Sequence, residues 1–238
     1  MATIADNLQD VLSRLSRISR ETRAARRDAT NVTLLAVSKT FPANAVRECA
    51  AAGQRAFGEN YLQEALEKIN ALHELGLEWH FIGPIQSNKT RPIAEHFHWV
   101  HSVERERVAT RLNEARPAGL PPLNVCLQVN VSGEASKSGV APQDVGALAR
   151  AVAVLPRLKL RGLMAIPEPT PDSTLRRQRF ALLRELQTQL IAEGLALDTL
   201  SMGMSDDLED AIAEGSTLVR VGSAIFGKRG VSLVHSEQ

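Results

Sequence analysis

The apolar positions of this chain change period near residue 34. Ahead of that point Ile4, Leu8, Val11, Leu12, Leu15 and Ile18 recur at helical spacing. That predicts one amphipathic helix from residue 3 to about residue 27. From Leu34 onward, short apolar runs alternate with longer amphipathic stretches. The runs read as strands are 34–39 (LLAVSK), 56–60 (AFGEN), 79–83 (WHFIG), 99–103 (WVHSV), 124–130 (NVCLQVN), 159–166 (KLRGLMAI), 199–203 (TLSMG) and 218–222 (LVRVG). Helices are expected at 43–52, 62–75, 104–115, 144–155, 173–193 and 206–214, with loops at 117–122 and 167–171.

Leu34-Leu35-Ala36-Val37 is apolar at every position. Such a run marks a strand buried on both faces, as in a parallel sheet covered by helices. Strands alternating with helices imply parallel pairing through right-handed crossovers. Eight such units in this length fit a (β/α)8 TIM barrel better than an open sheet. A doubly wound sheet is the alternative, but no Gly-x-Gly-x-x-Gly turn follows the first strand. The expected fold is therefore α/β, a single barrel domain over 1–238. It has an extra N-terminal helix within 1–30 and the barrel over 34–229.

Composition narrows the class. The chain has 238 residues, 44% hydrophobic and 23% charged, enough for one soluble domain with a sizeable core. No run approaches the roughly 20 apolar residues of a membrane helix. The first residues lack an apolar segment followed by a cleavage site. Cytoplasmic location and no membrane partner are the expectations. A net charge of +1 gives no electrostatic case for nucleic acid. Arginines 14, 17, 20, 23, 26 and 27 lie largely off the apolar stripe and read as a solvated helix face. Cys49 and Cys126 read as reduced core residues, not as a disulfide or a metal site. His96 and His98 could chelate a metal only if they shared a strand face, and no third ligand stands at a fixed offset.

Active sites of barrels are built at the carboxyl ends of the strands. Those ends carry Lys39, Glu59, Asn60, Gly83, Ser102, Asn130, Met164, Ser201, Gly203, Arg220, Gly222 and Ser223. One lysine, one arginine, amides, hydroxyls and glycines with few carboxylates suit an anionic ligand. The loops after the last two strands are a common phosphate site. Glycine lets backbone amides approach an anion, and serine adds a donor. Ser205 reads as the N-cap of the next helix, and Asp206 and Asp207 would repel a phosphate there. The anion is therefore expected nearer Gly222 and Ser223, with Ser201 contributing from the neighbouring loop. Arg220 sits in an apolar strand and needs a partner, either a core carboxylate or a ligand atom such as a ring nitrogen.

Taken together, AVSKTFP, FGENYLQEA, WHFIGPIQSNK, SVERE, QVNVSGEASKSG, LRGLMAI, LSMGMSDD and TLVRVGSAIFGKR resemble the pyridoxal phosphate homeostasis protein family over nearly the whole chain. The resemblance implies the barrel of the alanine racemase N-terminal domain. It implies that Lys39 holds pyridoxal 5'-phosphate as an internal aldimine. It also implies phosphate contacts from Ser201, Gly222 and Ser223, Arg220 near the pyridine nitrogen, and Asn60 and His80 lining the pocket. The family often has threonine where Ser223 stands, and serine keeps the hydroxyl. An imine needs an amine that is neutral part of the time, which desolvation beside cationic groups favours.

The cofactor is an electron sink best when a carboxylate keeps its ring nitrogen protonated, and an arginine cannot do this. The racemases also use a second base, a tyrosine on a separate β domain. This chain has one tyrosine, Tyr61, with nothing to mark it as a base. A carrier is therefore expected: a monomer that buffers the cofactor or delivers it to apoenzymes. A weak amino-acid racemase, a Schiff-base aldolase using Glu59 and a scaffold using the first helix are the alternatives, in that order.

Overall fold

A computed structural model describes residues 2–25, 32–133 and 138–227. Arg26, Arg27, the side chain of Arg23, residues 134–137 of the QVNVSGEASKSG stretch and the expected barrel end at 228–229 lie outside the described residues. The helix predicted first is α1 (Ile4–Ala25). Eight strands follow: β1 (Thr33–Val37), β2 (Ala56–Glu59), β3 (Glu78–Phe81), β4 (Trp99–Val103), β5 (Leu123–Gln128), β6 (Leu158–Met164), β7 (Thr199–Ser201) and β8 (Leu218–Val221). Between and after them run α2 (Ala43–Ala51), α3 (Leu62–Ala71), α4 (Thr90–His96), α5 (Glu106–Ala115), α6 (Val145–Ala153), α7 (Ser173–Ala192), α8 (Leu208–Ala213) and α9 (Ser223–Phe226). The strands pair in sequence order, all parallel, and β8 closes on β1.

Most predicted strands run past the observed ones at the carboxyl end. Asn60, Ile82, Gly83, Val129, Asn130, Ala165, Ile166, Met202, Gly203 and Gly222 lie beyond the strand ends, although the amides of Ile82, Val129, Ala165 and Met202 still donate to the neighbouring strand. Period-two alternation shows which face a residue takes, not where pairing stops. Gly83 shows one cause. A Cβ at this position would overlap the backbone of Asn60, so the tips of β2 and β3 approach within glycine distance. The helix expected from 206 starts at Leu208, with Asp207 and not Ser205 at its N-cap. The Asp207 carboxylate accepts from the Met204 amide at 2.6 Å.

The main apolar core lies between sheet and helices. Leu34 and Ala36 of β1, Trp79 and Phe81 of β3 and Val219 and Val221 of β8 point into it. Alternate residues face inward and form two smaller groups: Leu35, Val37, Ala56, Ile82 and Leu218, and separately Trp99, Cys126 and Met164. Helix α1 packs Leu8, Val11, Leu15 and Ile18 into the main core and lies against α2, α8 and α9. Because α9 is a single turn, α1 occupies the place around the barrel that a full eighth helix would take. It also braces the far side of a mouth loop. Arg14, expected on a solvated face, donates to the Ser205 carbonyl at 3.0 Å and pairs with Glu209.

His96 is the last residue of α4, and its ring meets the Pro92 carbonyl. His98 accepts from the Trp79 amide. The two therefore share no strand face. Among the described residues no group of three or more His, Cys, Asp or Glu is placed to hold a metal. Cys49 and Cys126 are buried and free, and burial pushes both thiols up to about 12. No helix among the described residues is long and apolar enough to cross a membrane.

Candidate functional site

β1 stops at Val37, and the chain turns through Ser38, Lys39 and Thr40. Thr40 has φ 68°, a strained value for a β-branched residue. A buried ionic group holds this turn on both sides of Lys39. Lys68 of α3 donates to the Ser38 carbonyl at 2.7 Å, to Glu59 Oε1 at 2.7 Å and to Glu64 Oε1 at 2.6 Å. The Ser38 hydroxyl donates to Glu59 Oε1 at 2.6 Å, and the Thr40 amide donates to Glu64 Oε1 at 2.6 Å. All three ammonium protons of Lys68 are therefore used, although its side chain is 4% exposed. Burial raises the Glu59 carboxyl above the usual range, against the pull of Lys68. Glu59, the carboxylate expected nearest the lysine, is thus occupied in shaping the turn.

Lys39 opens onto a cavity of about 310 Å³ at the carboxyl ends of the strands. Its wall brings together Asn60 after β2, Arg220 of β8, and Gly222 and Ser223 at the start of α9. Phe41, Ile82 and Ile166 supply apolar surface, and Met204, Ser205 and Asp206 complete the rim. The size suits a small ligand. Gly222 lies close to the first strand, where an added Cβ would stand 3.1 Å from the Val37 carbonyl. The first turn of α9 begins with Ser223, where helix amides have no partner within the helix. The carboxamide oxygen of Asn60 is buried without a hydrogen-bond partner. A bound polar molecule with a donor there would satisfy it.

Arg220 is fixed from behind. Nη1 donates to the Ser201 carbonyl at 2.6 Å and to the Ser201 hydroxyl at 2.8 Å, and Nη2 donates to the Ala165 carbonyl at 2.8 Å. These partners are oxygens of neutral groups, so the expected choice between a carboxylate and a ligand resolves away from a carboxylate hydrogen bond. Burial pulls the guanidinium down to about 10, with the nearby Asp207 opposing it, and Arg220 stays charged at neutral pH.

Two expected residues stand elsewhere. Ser201 is fully buried, its hydroxyl held between Arg220 and His101, and it does not line the cavity. His80 lies deeper in the barrel, stacked on Trp99 and bonded to His101 and Glu78, and it does not line the cavity either. Both face inward as alternation requires, but one level below the mouth. Ser205 takes the rim position instead. Its signal was available in Ser201-Met202-Gly203-Met204-Ser205, where it lies beyond the glycine and nearer the mouth. Asp206 also borders the cavity, beside Met204 and Ser205.

His80 and His101 are buried, and burial lowers both pKa values, that of His101 strongly. Each ring is neutral in the folded state and takes up a proton near pH 6.5 once unfolded. Their contribution to stability is therefore complete above about pH 6.5 and is lost as pH falls below it. Half-buried His98 shifts the same way. Unfolding free energy is expected to fall by up to about 1.4 kcal/mol per pH unit for each histidine on acidification from 6.5 toward 5. Urea titrations across that range check it, and a flat profile would contradict it.

Comparison with known proteins agrees with this geometry. Residues 13–230 match the model of the alanine racemase N-terminal domain family. The chain is 66% identical to the pyridoxal phosphate homeostasis protein of Pseudomonas aeruginosa, across 96% of this chain and 97% of that one. It is 55% identical to the protein of that name from Escherichia coli, across 98% and 99%. Among solved structures, PipY of Synechococcus elongatus with PLP bound superposes with TM-score 0.77 at 40% identity, across 88% of this chain and all of that one. Alanine racemase of Corynebacterium glutamicum, at 21% identity and TM-score 0.63, shares the fold over 92% of this chain and 63% of its own. By its sequence and its closed barrel, the chain belongs to the pyridoxal phosphate homeostasis protein family.

Proposed function

We propose that this protein binds pyridoxal 5'-phosphate and keeps it available, buffering it or delivering it to apoenzymes, without turning over a substrate of its own. Lys39 anchors the cofactor as a Schiff base: its amine adds to the aldehyde carbon and one water leaves. The observation that carries the reading is a lysine and a locked arginine on one cavity of about 310 Å³ whose other edge is Gly222 and Ser223. Relatives named for homeostasis of this cofactor, and the PLP-bound PipY structure, support it.

Each residue has a separate task. The Gly222–Ser223 turn and the Ser223 hydroxyl take the phosphate. Asn60 accepts from a ring substituent with its unpartnered oxygen. Ile82 and Ile166 cover apolar ring surface. Arg220 donates to the ring nitrogen. When bound, the cofactor supplies a reactive aldehyde and a conjugated ring able to draw electrons. Arg220 limits the second property, because a protonated guanidinium cannot pass a proton to the nitrogen and leaves it neutral. Tyr61 is 54% exposed and does not line the cavity, so it offers no second base there. Reduced, buried Cys49 and Cys126 support a cytoplasmic setting. The whole chain, 1–238, acts as one barrel domain and as a monomer.

The test of carrier against enzyme is exchange of the α-hydrogen. Cofactor-loaded protein with L-alanine in deuterated water is expected to show no exchange above that of free cofactor. Faster exchange, lost in Lys39→Ala, would establish a weak racemase in its place.

A further inference from the structure

We propose that Glu78, His80, His101 and Ser201 form a one-way hydrogen-bond chain through the barrel interior that positions Arg220 at the cavity. Its meaning for a ligand rests on the cofactor reading, but the chain itself is a property of the protein alone.

The links are continuous. Glu78 Oε1 lies 2.8 Å from His80 Nε2, His80 Nδ1 lies 2.9 Å from His101 Nε2, and His101 Nδ1 lies 2.8 Å from the Ser201 hydroxyl. Arg220 Nη1 closes the chain at 2.8 Å from the same hydroxyl. Glu78 starts β3 at the amino end of the barrel, and its side chain is 49% exposed. Arg220 ends the chain at the opposite, carboxyl end. The members come from β3, β4, β7 and β8, with His80, His101, Ser201 and Arg220 all buried.

The chemistry of the ends fixes the middle. Arginine only donates, and an ionised carboxylate only accepts. Ionised Glu78 only accepts, so His80, held neutral by burial, carries its proton on Nε2 and accepts at Nδ1. His101, also neutral, then carries its proton on Nε2, donates to His80 and accepts at Nδ1. The Ser201 hydroxyl donates to His101 Nδ1 and accepts from Arg220. Every link has one donor and one acceptor, both imidazoles are neutral, and both hold the same tautomer. With Glu78 ionised and both rings neutral, no other assignment satisfies all four links.

The consequence falls on Arg220. Both Nη1 hydrogens are bound by Ser201 and one Nη2 hydrogen by Ala165. The Nε hydrogen and the second Nη2 hydrogen have no protein acceptor among the described residues. The guanidinium plane is thereby set, with donors in reserve for a ligand. Cooperative polarisation along the chain links the negative end at the base to the positive end at the mouth. Glu78, His80, His101 and Ser201 are thus positioning residues, acting through Arg220. This assigns a role to His80 and Ser201 different from the direct ligand contacts expected of them.

The experiment is long-range proton–nitrogen NMR of the histidine rings in cofactor-free protein. The titratable groups facing the pair are Glu78 and His98 at one end and Arg220 at the other. His80 and His101 are each expected as a single Nε2–H tautomer that does not titrate between pH 6 and 8. Glu78→Gln retains an acceptor and keeps that tautomer, whereas Glu78→Ala loses the single tautomer at His80. In loaded protein, Glu78→Ala shifts the absorbance maximum of the bound chromophore and Glu78→Gln shifts it less. An Nδ1–H form of either ring in the wild type, or titration near pH 6.5, overturns the chain. So does an unchanged His80 tautomer in Glu78→Ala. Failure to bind cofactor, with the tautomers as stated, would overturn the cofactor reading and leave the chain standing.

Discussion

Lys68→Met is expected to lower the unfolding free energy by about 3–5 kcal/mol, because it strands the Glu59 carboxylate in the interior without its cation. Glu59 is fully buried, its Oε2 already lacks a partner, and its Oε1 would keep only the Ser38 hydroxyl. Glu64 is part-exposed and can turn to water. The cost therefore belongs to one pair and not to the whole network. The double variant Lys68→Met/Glu59→Leu removes both charges and is expected to recover most of the loss, since apolar side chains of similar size replace a buried ion pair at little cost. Urea midpoints with an unchanged slope measure both. A single variant within about 1 kcal/mol of the wild type, the range of exposed surface pairs, would show that the pair does not hold the turn. The double variant also carries a functional signature. Ser38 loses both of its grips beside Lys39, and Glu64, which holds the Thr40 amide, loses its cation, so cofactor capture weakens although stability returns.

Gly162→Ala is expected to cost at least about 3 kcal/mol and to leave little folded protein. Gly162 of β6 pairs with Thr199 of β7, and an added Cβ would overlap the Thr199 carbonyl. Neither backbone can yield without opening the β6–β7 ladder, and an open ladder is an open barrel. Gly119→Ala is the control. That glycine has free space around it and no special φ, so its replacement should change stability by less than about 0.5 kcal/mol. Comparing soluble yield and thermal midpoints of the two variants decides the matter. Equal behaviour would mean that β6 and β7 can separate cheaply.

The barrel and much of its mouth are legible in the sequence for physical reasons. Leu34 to Val37 is buried at every position because sheet faces and helices cover it on both sides. Lys39, Asn60, Arg220, Gly222 and Ser223 fall at strand ends, and strand ends of a closed parallel sheet converge on one mouth. Depth is what alternation does not encode. His80 and Ser201 sit on the correct face, yet β3 and β7 rise too little to bring them to the cavity, and they pair through His101 below it. The Glu59–Lys68–Glu64 group was hidden for a different reason. Glu64 and Lys68 read as an ordinary i,i+4 surface pair, and only the packing of α3 against the end of β1 buries Lys68. Arg14 was hidden likewise, because the missing eighth helix that lets α1 reach Ser205 is a property of the closed ring.

The central claim is that Lys39 is the covalent anchor of pyridoxal 5'-phosphate. The most direct measurement is the visible absorbance of purified protein loaded with the cofactor, followed by borohydride reduction and peptide mapping, beside Lys39→Ala. The account predicts a yellow band that borohydride bleaches, with the added mass on the peptide containing Lys39 and neither band nor mass in the variant. A colourless protein that cannot be loaded, or a label on another lysine with Lys39→Ala unchanged, would contradict it.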